Sequence, residues 1–138
     1  MALLEILLTQ LSDELQLGGK PRKDKEQTYS LGFADALDVK IQERDADVTL
    51  FARLAICPEE KREKLFSYLM KANFLGQGTG GSSIGYDESE NSLTLSSILP
   101  YDLDYKTLRN AIEDFVNYVE YWKTEISEHK RKAEEEKF

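Results

Sequence analysis

The sequence predicts an α+β fold in the order helix, three strands, helix, two strands, helix, with the helices packed on a twisted antiparallel sheet. Three observations predict it. Apolar and polar residues alternate in three runs between Tyr29 and Ile56, the period-two signature of half-buried antiparallel strands. Stripes of apolar residues at helical spacing lie before and after those runs. A glycine-rich stretch, Gly76-Gln77-Gly78-Thr79-Gly80-Gly81, separates a helical segment from a second alternating one.

The elements follow in chain order. Leu4, Leu8, Leu11 and Leu15 form one helical stripe, widened by Leu3, Ile6 and Leu7. Gly18-Gly19 is expected to end this helix, because glycine enters the left-handed C-cap conformation without penalty. Lys20-Pro21-Arg22-Lys23-Asp24-Lys25-Glu26 reads as a solvated linker with no apolar anchor. Tyr29, Leu31 and Phe33, then Leu37, Val39 and Ile41, then Val48, Leu50, Ala52, Leu54 and Ile56 predict a three-stranded meander over 28–56. Residues 34–36 and 44–47 are short enough to be its hairpin turns.

Pro58 is expected at the first position of the second helix. Glu59, Glu60 and Glu63 complement the positive end of that helix, and Leu65, Phe66, Leu69, Ala72 and Asn73 form its inner face. After the glycines a hairpin runs from Ile84 to Ile98, turned by Glu88-Ser89-Glu90-Asn91 and closed by Leu99-Pro100. Asp104 is the N-cap of the last helix. There Leu108, Ile112, Phe115, Val119, Trp122 and Ile126 step by 4, 3, 4, 3 and 4. From Lys123 to Phe138 the chain carries five basic and five acidic residues. The organisation expected is a single domain over 1–126 and a charged tail over 127–138 that frays.

A chain of 138 residues fits one domain. Its formal charge of −8 argues against a nucleic-acid binder, which needs a basic face, and against docking on an anionic membrane. One cysteine, Cys57, excludes an intrachain disulfide. No apolar run approaches the roughly 18 residues of a membrane span. The apolar start of the chain lacks basic residues and contains Glu5, so it reads as a helix and not a secretory signal.

Catalytic chemistry finds no foothold. The one histidine, His129, falls in the tail, where a nucleophile–histidine pair could not be held in place. One Cys and one His cannot make a structural zinc site. Gly76, Gly78 and Gly81 match G-x-G-x-x-G, but they follow a helix and precede a strand, the reverse of the dinucleotide-binding context. The expectation is a flexible connector. Glu59-Glu60, Asp102 with Asp104, and Glu113-Asp114 lie at helix starts or on polar faces, where capping and solubility explain them. The stripe from Leu108 to Ile126 spans under three heptads, so core packing explains it better than a coiled coil. The reading is a protein that is not an enzyme and has no cofactor and no metal.

What is left over is apolar surface. Val48–Ile56 carries Leu50 and Leu54 on one face and Phe51 and Ala55 on the other, and the first helix is apolar around more than half its circumference. The chain's own helices can cover one sheet face. The rest predicts a second copy, a client protein, or both.

This arrangement resembles the Tir chaperone (CesT) family, the class I chaperones of type III secretion effectors. The resemblance runs from Leu3 to about Ile126 and rests on Leu65-Phe66, Leu69-Met70, Ala72-Asn73-Phe74, the glycines, Ile84-Gly85-Tyr86-Asp87, Asn91, Leu93, Leu95, Leu99-Pro100, Phe115-Val116, Glu120 and Trp122. It implies a homodimer in the bacterial cytosol. That dimer would hold the N-terminal chaperone-binding segment of one or more effectors in extended form, soluble and competent for secretion. The partners implied are the effectors and the secretion ATPase or sorting platform, with no nucleic acid and no membrane insertion. Under this resemblance Leu7, Leu11, Tyr29, Leu31 and Phe33 are the residues chosen for client binding. Leu69, Phe74, Leu93 and Leu95 are chosen for the dimer interface. Each could instead be core of one protomer, since half-buried apolar residues look alike in sequence. The competing reading is a dimeric adaptor or anti-activator that sequesters a regulatory protein with the same surface.

Overall fold

The computed structural model describes residues 2–17, 21–24, 28–33, 37–44, 47–100 and 103–136. The elements are α1 (Ala2–Glu14), β1 (Arg22–Lys23), β2 (Thr28–Gly32), β3 (Asp38–Glu43), β4 (Asp47–Ile56), α2 (Arg62–Asn73), β5 (Ser83–Asp87), β6 (Ser92–Pro100) and α3 (Tyr105–Glu136). A single 3-10 turn, Phe74–Gly76, follows α2. The strands form one sheet in the order β1-β2-β3-β4-β6-β5. The expected α+β architecture is therefore present, with helices packed on an antiparallel sheet.

The chain divides into two compact units, each built from two separate stretches of sequence. The first unit holds residues 1–52 and 97–113. Its meander pairs Leu31 with Val39, and Ile41 with Leu50. This register puts Leu31, Val39, Ile41 and Leu50 on one buried face, as period-two alternation requires. Leu4, Leu8 and Leu11 of α1 are buried in the same unit. Each fully buried leucine contributes about 1.5–3 kcal/mol relative to exposure. Ile6, expected to widen that stripe, is exposed.

The linker expected at 20–26 contains a strand. Arg22 pairs with Ser30 and Lys23 with Tyr29, and the Asp24 amide donates to the Thr28 carbonyl at 2.9 Å. Edge pairing of this kind uses main-chain groups only, so it leaves no apolar signature in the sequence. Gly18-Gly19, the turn expected at 34–36 and the middle of the one expected at 44–47 lie outside the described residues; at the ends of the latter the Arg44 amide donates to the Asp47 carbonyl at 2.9 Å.

The second unit holds residues 53–96 and 114–138. Here α2 starts at Arg62, four residues after the proline expected to open it. Lys61 caps it in a left-handed conformation, φ 52°. The Arg62 guanidinium donates to the Pro58 and Cys57 carbonyls at 3.1 and 3.3 Å. Those carbonyls are thereby satisfied outside a helix, and 58–60 remains non-helical. Beyond α2, β5 and β6 pair from Ser83↔Ser96 to Asp87↔Ser92. Asp87 Oδ1 accepts from the Ser89 amide and hydroxyl at 3.1 and 2.7 Å, an Asx turn that fixes the hairpin. Leu99 and Pro100, expected to close the hairpin, belong to β6 itself.

Asp104 caps α3 as expected, its Oδ1 accepting from the Thr107 amide at 2.7 Å. That bond holds its carboxyl below the ordinary range. α3 continues to Glu136, past the point where fraying is expected. Ala133 is buried, the His129 Nε2 lies 3.1 Å from the Glu60 carbonyl oxygen, and Lys61 pairs with Glu136. Among the described residues, the links from this tail to the rest of its unit include one alanine, one histidine and one ion pair, which carry little weight in an apolar pattern.

Candidate functional site

In the first unit the candidate client residues divide by burial. Leu11, Tyr29 and Leu31 are buried, whereas Leu7 and Phe33 are half-buried. Phe33 lies one residue past β2, its amide donating to the Leu37 carbonyl at 2.8 Å. The exposed Ile6 stands beside Leu7 on α1. Among the described residues, β1 covers only Ser30 and Tyr29 of β2.

Glu14, the last residue of α1, is bonded to the first turns of α3. Its Oε2 accepts from Tyr105 Oη at 2.5 Å and from Arg109 Nη1 at 2.6 Å. The Tyr105 hydroxyl, with help from Arg109, holds the Glu14 carboxyl below its ordinary value. Burial and that same carboxylate push the Tyr105 phenol up.

In the second unit, α2 is apolar on two faces. Leu65 and Leu69 point inward and are buried. Phe66, Met70 and Phe74, spaced by four, form a second stripe, with Met70 71% and Phe74 64% exposed. Leu75 follows, 82% exposed and at φ 54°. A leucine held in the left-handed region with its side chain in solvent violates two local preferences at once.

Asn73 positions this stripe against β5. Its Nδ2 donates to the Ile84 carbonyl at 2.8 Å, and its Oδ1 accepts from the Ile84 amide at 2.7 Å. The Phe66 and Tyr86 rings sit 5.6 Å apart. A groove of about 190 Å³ lies between α2 and the hairpin, floored by Leu69, Ile84 and Leu93. A shallower one, about 530 Å³, runs past Phe66, Met70 and Phe74.

Of the four residues chosen for the dimer interface, Phe74 is exposed, while Leu69, Leu93 and Leu95 are buried within the protomer. Met70, Leu75 and Tyr86 are exposed and Phe66 is half-buried, an apolar patch that the four chosen residues do not mark. The four-residue spacing of Phe66, Met70 and Phe74 was the available signal, masked by the stronger stripe of Leu65 and Leu69.

The glycine loop is packed, where a flexible connector was expected. The Gly78 amide donates to the Ala72 carbonyl at 2.9 Å, and Trp122 Nε1 donates to the Gly78 carbonyl. Thr79 and Ser82 are buried. Among the described residues no cluster of His, Cys, Asp and Glu could hold a metal ion. No described helix is long and apolar enough to cross a membrane.

A model of the Tir chaperone protein (CesT) family matches residues 6–123. The chain belongs to the Tir chaperone (CesT) family. A Chlamydia pneumoniae protein, CPj0713/CpB0740, is 27% identical to this CesT-family chain over 126 residues, covering 90% of it and 96% of the relative. Solved structures of similar fold include the ExsC–ExsE complex, at 18% identity and TM-score 0.72, covering 89% of this chain and 92% of the matched one. The HopA1–SchA chaperone–effector complex follows at 15% and 0.70, covering 88% and 93%. The Yersinia pestis type III secretion chaperone SycH, in complex with a fragment of YscM2, matches at 16% and 0.62, covering 83% and 95%. The family and the fold are those of chaperones.

Proposed function

We propose that this chain is a type III secretion chaperone that works as a homodimer. It holds the N-terminal chaperone-binding segment of one or more effectors in extended form, in the bacterial cytosol, for delivery to the secretion ATPase or sorting platform. Membership of the CesT family carries this reading. The relatives of like fold support it, one being a type III secretion chaperone and another a chaperone–effector complex.

The residues give it a physical basis. An extended segment is disordered when free, so it must bury a large apolar area to offset its ordering entropy. Ile6, Leu7 and Phe33 offer such area in the first unit, where Leu11, Tyr29 and Leu31 are buried. The short β1 leaves main-chain groups near the sheet edge for an added strand. The self-association surface is Phe66, Met70, Phe74, Leu75 and Tyr86. An apolar stripe this exposed is unusual on a monomer and fits an isologous contact, in which each copy offers the same patch.

Light scattering tests both parts. The protein alone is expected at twice 15.8 kDa, rising by one client chain per dimer on co-expression with an effector N-terminus. A monomer that takes up no effector segment would overturn the proposal.

A further inference from the structure

A second trough lies in the same unit, on a different face of α2. Tyr68 stands two residues, roughly 200°, round that helix from Met70. Between Tyr68 and α3 are two adjoining cavities of about 550 and 260 Å³, and Tyr68 lines both. The larger is aromatic, bounded by Tyr68, Tyr118, Tyr121 and Trp122. The smaller is bounded by lysines and glutamates around His129.

The aromatic end is presented rigidly. Tyr68 and Tyr121 are 43% and 51% exposed. Their rings lie 5.4 and 5.2 Å from that of Trp122, the second edge-on. Both hydroxyls donate to Glu125 Oε1, at 2.5 and 3.3 Å. The ring faces are therefore fixed in place before anything binds, and a ligand would spend little entropy in ordering them.

The charges along the trough are unbalanced. Of its carboxylates, Glu128 pairs with Arg131 at 2.9 Å and Glu136 with Lys61, whereas the hydrogen bonds to Glu125 come from two neutral phenols and do not cancel its charge. The ammonium groups of Lys64, Lys71 and Lys132, which line the trough, are in no ion pair among the described residues. With four lysines against three glutamates in its lining, the trough carries a small positive excess on a chain of net charge −8.

We propose that this trough docks an acidic amphipathic segment of a partner protein. Aliphatic side chains of that segment lie on the tyrosine rings, and its carboxylates reach Lys64, Lys71 and Lys132. A basic segment would meet three lysines outside any close ion pair among the described residues, set against the single unpaired carboxylate of Glu125, and like charges brought together suppress association. The inference is independent of the chaperone reading, because the residues differ from those assigned to the client and to the dimer.

Trp122 is the only tryptophan in the chain, so its emission reports on the trough directly. The full-length protein is titrated with a peptide of about 16 residues, four helical turns, free of Trp and Tyr, with leucines on one face and glutamates on the other. The same peptide with lysine in place of glutamate is the comparison. The acidic peptide is expected to change Trp122 emission saturably, to bind at least about tenfold more tightly than the basic one, and to weaken as salt screens the charges. The triple variant Lys64→Glu, Lys71→Glu, Lys132→Glu, all exposed positions, is expected to keep its circular dichroism and reverse the preference. No saturable change, equal response to both peptides, or an unaltered preference in the triple variant would overturn the proposal. So would a light-scattering mass above a dimer in a peptide-insensitive protein, which would give the trough to another copy of this chain.

Discussion

The indole Nε1–H of Trp122 donates to the carbonyl oxygen of Gly78 at 2.9 Å, which bonds the middle of α3 to the loop after α2. Trp122 is almost fully buried, so this donor has no water to fall back on. Trp122→Phe keeps an aromatic ring but leaves the Gly78 carbonyl without its donor. The expected loss is about 1–3 kcal/mol, read as a lower urea midpoint with an unchanged slope.

Gly80 and Gly81 separate two causes of strain in that loop. Both have positive φ, +62° and +88°, where a side chain costs about 1–2 kcal/mol. A Cβ at Gly80 would also overlap the Tyr118 ring, whereas one at Gly81 would meet open space. Gly80→Ala is therefore expected to lower the thermal midpoint further than Gly81→Ala. In a Tyr118→Ala background the gap between the two should close.

The Glu14 carboxylate has a signed pH signature. Its folded value is lowered from about 4.5, first by the Tyr105 hydroxyl and also by Arg109. A lowered carboxyl stabilises fully above its unfolded value and loses that contribution as pH falls through the folded one. Wild type should therefore exceed Glu14→Gln in Tm at neutral pH. The difference should shrink below about pH 4.5 and vanish in stronger acid, as measured by calorimetry across that range.

Leu69 and Phe74, five residues apart on α2, should fail in different ways. Leu69 is buried in the protomer, so Leu69→Ala is expected to cost about 2–5 kcal/mol, seen in denaturant unfolding. Phe74 is 64% exposed. Phe74→Asp should leave the circular dichroism unchanged and halve the light-scattering mass. A folded Phe74→Asp dimer would remove this residue from the proposed interface.

Phe33 is the sharpest probe of the client surface. Half-buried at the end of β2, it can take a carboxylate without opening the core. Phe33→Asp is expected to weaken binding of an effector segment by about tenfold or more, 1.4 kcal/mol per decade, with the protein's mass unaltered. Loss of the folded spectrum would show Phe33 to be core instead.

The elements written in side chains were legible. The meander announced itself because Val39, Ile41, Val48 and Leu50 must all reach one buried face. The Asp104 cap announced itself because few residues can satisfy a free helical amide. What escaped is written in the main chain or in single contacts. β1 needs only amides and carbonyls, and the start of α2 is displaced by one arginine bonded to two carbonyls. The end of α3 is linked to the rest of its unit by such single contacts as buried Ala133, His129 against Glu60 and the Lys61–Glu136 pair. The surface was harder still. Leu69 and Met70 are adjacent apolar residues of one helix, yet one is 4% and the other 71% exposed. Telling them apart from sequence needs the helix phase to within a residue, and two overlapping apolar stripes conceal that phase.

The division of the chain into interleaved units bears on how the protein is made. Residues 1–52 share a unit with 97–113, and residues 53–96 with 114–138. A ribosome releasing the chain from its N-terminus cannot finish the first unit until Glu113 has emerged, by which time the whole of α2 and the hairpin are already outside. Neither unit is a contiguous piece that a nascent chain could fold and set aside. Synthesis therefore passes through a stage in which most of the apolar surface has emerged while neither unit is complete, and any helper acting during translation would have to act in that interval.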